Sequence, residues 1–147
     1  VMMNIPTEPL LFDLHYGGKS AVEAAAEGAS PFDVEYVEAD ETTPQFRDIF
    51  IKDVVCSGAA RAMYFNGIPE KNIENIVVED CEIVSTKGAD LRYSNGVQLK
   101  NVSITQSEGQ GYSVANCRNV LIEDCSDASG SGSLNVFQHN SSNVKID

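Results

Sequence analysis

One phrase recurs five times in the last two-thirds of this 147-residue chain. Anchored on Ile49, Ile76, Val97, Val120 and Val144, it reads IFIKDVVC, IVVEDCEI, VQLKNVSI, VLIEDCS and VKID, at intervals of 27, 21, 23 and 24 residues. That spacing is too short for a sandwich domain and fits one turn of a solenoid, in which each repeat buries its apolar face only against its neighbours. The anchors are all Ile or Val, and two residues on stand Ile51, Val78, Leu99, Ile122 and Ile146. Apolar residues at a period of two describe a strand with one buried face, and branched aliphatics suit a pleated surface. A helix would need sustained spacings of three and four, which are absent.

Four residues after each of the first four anchors come Asp53, Asp80, Asn101 and Asp124. Asp and Asn tolerate left-handed backbone and bond their own turns, so this position reads as a corner between two short strands. Apolar residues then resume at Val54 and Cys56, Cys81 and Ile83, Val102 and Ile104. A further strand-like phrase precedes three later anchors: Met63–Asn66, Tyr112–Asn116 and Val136–Asn140, each ending in Asn. Two or three short strands per turn predict an all-β parallel β-helix with rungs stacked roughly 4.8 Å apart. The Leu-rich consensus of a leucine-rich repeat is absent. In-register stacking would also align Lys52, Glu79, Lys100, Glu123 and Asp147 in one outward line, with alternating signs over the first four.

The chain is one domain's worth in length, and its net charge of −12 argues against nucleic acid and anionic membrane surfaces as partners. It argues against a polyanionic sugar as well, unless the few basic residues cluster. No apolar run approaches the length of a membrane span, and no basic-then-apolar leader opens the chain. Residue 1 is Val and the next few already read as strand, so we expect a segment whose earlier rungs precede it. An exposed first rung would then favour self-association through unpaired strand edges. The cysteines Cys56, Cys81, Cys117 and Cys125 show no Cys-x-x-Cys spacing and no nearby histidines, so we expect no metal site and no cofactor. Stacking would put Cys81 and Cys125 two rungs apart, too far for a disulfide. They read as small buried hydrophobes.

The front third breaks the rhythm. Residues 1–16 read as a partial first rung, 17–45 as one long inserted loop, and 46–147 as four to five rungs. Within the loop, Ala21–Glu27 could form two helical turns ended by Gly28 and Pro31. Asp33 to Asp40 alternates acids with Val34, Tyr36 and Val37 as a hairpin arm would. Loops of this length on a solenoid are commonly functional.

The stretch PLLFDLHY at Pro9–Tyr16, followed by QFRDI at Gln45–Ile49 and GAARAMYFNG at Gly58–Gly67, resembles the C-terminal half of polygalacturonase-like enzymes, glycoside hydrolase family 28. The resemblance covers residues 1–125 as a pattern and is specific around Pro9–Tyr16 and Ile49–Phe65. It implies a right-handed parallel β-helix, incomplete here, from a secreted or periplasmic enzyme that hydrolyses pectin by inversion. That chemistry needs an acid and a base carboxyl about 6.5–9.5 Å apart with water between them. The family's signatures Asn-Thr-Asp, Asp-Asp, Gly-His-Gly and Arg-Ile-Lys do not occur in this sequence, and the resemblance places them on rungs before Val1. No catalytic residue is therefore assigned. Tyr16 matches the family's substrate-contacting tyrosine beside the cleft, where an aromatic ring can stack on a sugar face. Leu14 stands where the family has Gln.

Other candidates read as structural. Asp13 and His15 fall on one side of a strand with no second carboxyl motif nearby, and His139 sits without evident partners. The Gly-Ser run at Ser129–Ser133 lacks a phosphate-binding pattern and reads as a corner. The expected function is the scaffold and one cleft wall of a pectin-type polysaccharide hydrolase, with a galacturonic-acid-containing polysaccharide as partner. The alternative is a non-enzymatic β-solenoid, an adhesin or fibre segment that binds carbohydrate or assembles. A polysaccharide lyase fragment would need Ca²⁺-binding acidic clusters and a basic residue that the sequence does not reveal.

Overall fold

Among the described residues, twelve that are not glycine adopt left-handed backbone, and they mark the corners of the molecule. The anticipated corner after each anchor is there: Asp53, Asp80, Asn101 and Asp124 have φ of 58°, 51°, 50° and 51°. A second corner, immediately before the anchors, is formed by Asp48, Asn75, Gly96, Asn119 and Asn143 at φ 57°, 52°, 79°, 55° and 52°. A third falls at Tyr93, Asn116 and Asn140, φ 46°, 55° and 44°. Gly, Asn and Asp reach this region at little cost, whereas the bulky Tyr93 is an exception.

Between the corners run parallel strands. The structure is a computed structural model that describes residues 1–15, 28, 32–129 and 134–147. Its elements are β1 (Met2–Ile5), β2 (Leu10–Asp13), β3 (Arg47–Lys52), β4 (Val55–Asn66), β5 (Ile73–Arg92), β6 (Ser94–Ala115), β7 (Arg118–Glu123), β8 (Val136–His139) and β9 (Ser142–Ile146). They form a β-solenoid of about four turns, with no helix among the described residues. Both β1 and β2 pair with β4, β3 and β4 with β5, β5 with β6, β6 with β7 and β8, and β7 with β9. Every one of these pairings is parallel. No described helix is long and apolar enough to cross a membrane.

The register aligns the repeat as expected. Ile49, Ile76, Val97, Val120 and Val144 form one column, and Ile51, Val78, Leu99, Ile122 and Ile146 the next. The middle members are essentially inaccessible, whereas Ile146 is 43% exposed on β9, which pairs on one side only. Each fully buried aliphatic side chain contributes about 1.5–3 kcal/mol before the entropic cost of ordering it. Inward residues of the second sheet, among them Met63, Phe65, Ala89, Leu91, Tyr112 and Val114, complete the core. The charged column is also in register, and Lys52 reaches both Glu79 (3.7 Å) and Asp80 (3.1 Å). All four cysteines are free thiols, and burial pushes that of Cys117 up to about 11, where it is inert.

The corners are tied by side-chain ladders of one polarity. Asn75 donates to Asp48 (2.7 Å), Asn101 to Asp80 (2.7 Å), Asn119 to Asn95 (2.8 Å), Asn143 to Asn119 (2.7 Å) and Asn140 to Asn116 (2.6 Å). In each case the amide on the later rung gives its proton to the rung before. A first member therefore only has to accept, and Asp48 and Asp80 fill that place.

The helical turns expected at 21–27 of the inserted loop lie outside the described residues. The hairpin arm is not formed: residues 32–46 contain no strand. The alternation of acids with Val34, Tyr36 and Val37 did not carry a hairpin because Val34 turns to the solenoid wall, where its amide donates to the Tyr93 hydroxyl at 2.8 Å, while Tyr36 and Val37 are exposed.

Candidate functional site

The outward face of the second sheet carries the most concentrated chemistry. Strand alternation sends Tyr64, Asp90, Ser113 and Phe137 outward in one register column, while their neighbours Met63, Ala89 and Tyr112 fill the core. Nearer the preceding corner, Arg61, Lys87 and Glu108 stand directly across from one another. Between these columns lies a cleft of about 440 Å³ lined by Arg61, Lys87, Asp90, Arg92, Glu108, Ser113 and Phe32, with backbone from Gly88 and Gly109. Its size lies within the usual range of small-molecule sites.

Two glycines let the rungs close up at its floor. A Cβ on Gly88 would strike the carbonyl oxygen of Gly111, and one on Gly111 would strike the side chain of Asp127. Asp127 in turn accepts from the amides of Ser129 (2.8 Å) and Asn135 (2.7 Å).

Arg92 and Asp90 form a forked ion pair, with Nε at 3.0 and 3.2 Å from the two oxygens and Nη2 at 2.9 Å. Their side chains are only 11% and 15% exposed. Burial works to lower the pKa of Arg92, but its bonds to Asp90 outweigh that and hold it above the ordinary value. The Arg61 guanidinium lies 4.3 Å over the Tyr64 ring and 3.8 Å from Glu8, and Arg92 lies 5.7 Å from the same ring. Burial raises the Tyr64 phenol above its usual value, so it remains a neutral donor at physiological pH. Three of the ten basic residues of a chain with net charge −12 thus meet at one cleft.

Part of the inserted segment forms the cleft's far wall. The Phe32 ring packs on Phe137 (5.3 Å) and His139 (5.1 Å) and lies 5.7 Å from the Arg92 guanidinium. Asn116 donates to the Phe32 carbonyl and to Asp33, both at 2.9 Å, and His139 Nε2 is 3.4 Å from Asp33. His139 therefore has partners from the inserted loop, contrary to the isolated position its sequence neighbourhood suggests. The loop is distant in sequence, and nothing local signals the contact.

Tyr16, the one substrate-contacting residue expected, lies outside the described residues. Asp13 accepts from the His15 amide (2.9 Å) and from Asn66 (3.0 Å), and His15 Nε2 lies 3.0 Å from the Gly67 carbonyl, a bonded turn. Among the described residues no group of three or more His, Cys, Asp or Glu could hold a metal ion. A second groove, at Pro69, Tyr93, Asn116, Arg118 and Asn140, is larger (about 600 Å³), but the Asn140 amide is already spent on its ladder bond to Asn116, and that of Asn116 on Phe32 and Asp33. Arg61, Tyr64, Lys87, Arg92 and Phe32 were not singled out by sequence reasoning. Their only signal there is the basic residues of two second-sheet phrases, Arg61 in one and Lys87 and Arg92 in the next. No protein family, no curated protein and no solved structure matches the chain.

Proposed function

We propose that this chain is the β-helix scaffold and one cleft wall of a pectin-type, polygalacturonase-like inverting hydrolase, with the catalytic carboxylates outside these residues. The cleft on the second sheet holds the carboxylate of a galacturonate-type sugar. One observation carries this reading: Arg61 and Lys87 lie directly opposite each other on neighbouring strands. Like charges so placed cost up to about 1 kcal/mol; Glu8, 3.8 Å from Arg61, and Glu108, across from Lys87, offset part of that cost, and a bound anion offsets the rest. Tyr64 orients the Arg61 guanidinium, whose fork suits a planar carboxylate. The net charge of −12 argues against an acidic ligand only while the basic residues are scattered, and here they are gathered.

A fibre or adhesin segment remains the alternative reading, and it predicts no preference for acidic over neutral sugar. Calorimetry with trigalacturonate and with neutral galactotriose separates the two. Trigalacturonate alone should bind, weakening as ionic strength rises, and Arg61→Ala or Lys87→Ala should each weaken it about tenfold. Equal affinity for both sugars, or no binding, would remove this function. By the same reading Tyr16→Ala should reduce affinity, and the chain by itself should release no reducing ends from polygalacturonate.

A further inference from the structure

The inserted segment reaches the cleft at one place, and what it does there follows from register. Ser113 pairs with Phe137 and Ala115 with His139, so the Phe32–Phe137–His139 stack stands one rung beyond the cleft floor. At the opposite end, the rung bearing Arg61 and Tyr64 carries no such stack among the described residues. A polysaccharide laid along the Tyr64–Asp90–Ser113 column, with Arg61 and Lys87 at its flank, therefore runs into an aromatic wall after Ser113. The wall is fastened at three points: the Val34 amide to Tyr93, the Phe32 carbonyl to Asn116, and Asp33 to Asn116 and His139. Those anchors sit on three successive rungs, so the strap is held along the corner and does not hang from a single bond.

We infer that Phe32 sets the length specificity of the cleft: it ends the site, so that the cleft takes the terminal unit of an acidic polysaccharide and not an internal stretch. This rests on the binding function proposed above. An open groove gains affinity with each sugar unit it covers, whereas a blocked one stops gaining once the terminal unit and its neighbour are seated.

The test compares digalacturonate with hexagalacturonate by calorimetry on the full chain. The parent should bind the two within about twofold of each other. Phe32→Ala should tighten hexagalacturonate by about fivefold or more and leave digalacturonate within about twofold. Phe137→Ala, which removes the shelf under Phe32 and leaves the strap's hydrogen bonds, should act in the same direction if Phe32→Ala perturbs folding. A parent affinity that climbs more than about tenfold from the short to the long sugar would overturn the inference while sustaining the binding function. So would a Phe32→Ala chain that binds both sugars as the parent does, or both more weakly by the same factor. A parent that binds neither sugar overturns the binding function and this inference with it.

Discussion

At the scale of residues, the corner carboxylates and their amide partners set how the molecule responds to acid. Asn101 donates to Asp80, and Lys52 adds a second bond, so the Asp80 carboxyl sits below its ordinary value; Asp48 is lowered by Asn75 first and Arg47 second. A depressed carboxylate pKa means that the unfolded chain takes up the proton first. The stability these groups contribute is full above the unfolded value of about 3.9 and is lost as pH falls through the lower folded value. Asn101→Ala should lower the urea midpoint at pH 7, and the gap from the parent should shrink as pH falls below about 4. A gap of constant width would show that the amide acts by packing alone. Tyr93→Phe isolates another contact, because only the acceptor for the Val34 amide is lost. Global melting should hardly move, while exchange of the Val34 amide accelerates. Unchanged exchange there would mean that the strap is held without Tyr93.

At the scale of elements, the two sheets differ in how legible they are. The first sheet was readable because anchor, alternation and corner keep the same offsets: Ile49, Ile76, Val97, Val120 and Val144 need only be stacked. The second sheet was not. A bulge between Ser57 and Ala59 places Arg61 one residue further from its anchor than Lys87 is from its own, and another follows Lys87. The cross-strand pair of cations is therefore out of step in the sequence and in step in space. The Phe32 wall was hidden for a different reason, since it depends on an irregular segment meeting strands about a hundred residues later. Gly88 shows how tight the second sheet is: Gly88→Ala puts a methyl group against the Gly111 carbonyl, and backbone cannot yield cheaply. It should cost about 1–3 kcal/mol or more in urea unfolding, and a neutral substitution would mean that the bulge relaxes. Tyr112, buried with its hydroxyl 2.9 Å from the Val102 carbonyl and 3.1 Å from that of Ser126, ties the core to the corner that follows β7. Tyr112→Phe should cost about 1–2 kcal/mol by the same measurement.

At the scale of the whole molecule, the strands of each rung pair only with those of neighbouring rungs, so stability should be graded along the stack. Native-state hydrogen exchange should find the greatest protection in β5 and β6, around Ile76, Val78, Val97 and Leu99, and the least in β1 and β9. Uniform protection from end to end would instead indicate a single all-or-none unit. The one-way polarity of the ladders has a further bearing, on how the protein ages. Asparagine side chains deamidate fastest where glycine follows, because the next amide nitrogen is then free to attack. Among the ladder amides only Asn95 precedes a glycine, Gly96, and Asn95 is a member that accepts its bond from Asn119. Its conversion to aspartate would leave that acceptor in place. Of the five donors whose protons the ladders need, Asn75, Asn101, Asn119 and Asn143 are each followed by a β-branched residue that hinders the attack, and Asn140 is followed by Ser141. The other Asn-Gly pair, Asn66-Gly67, is held in the core, where Asn66 is 2% exposed and bonded to Asp13. Peptide mapping of long-stored protein should therefore find deamidation at position 95 first, in molecules that still melt with the fresh ones. The stack spends its most perishable amide where the loss does least harm.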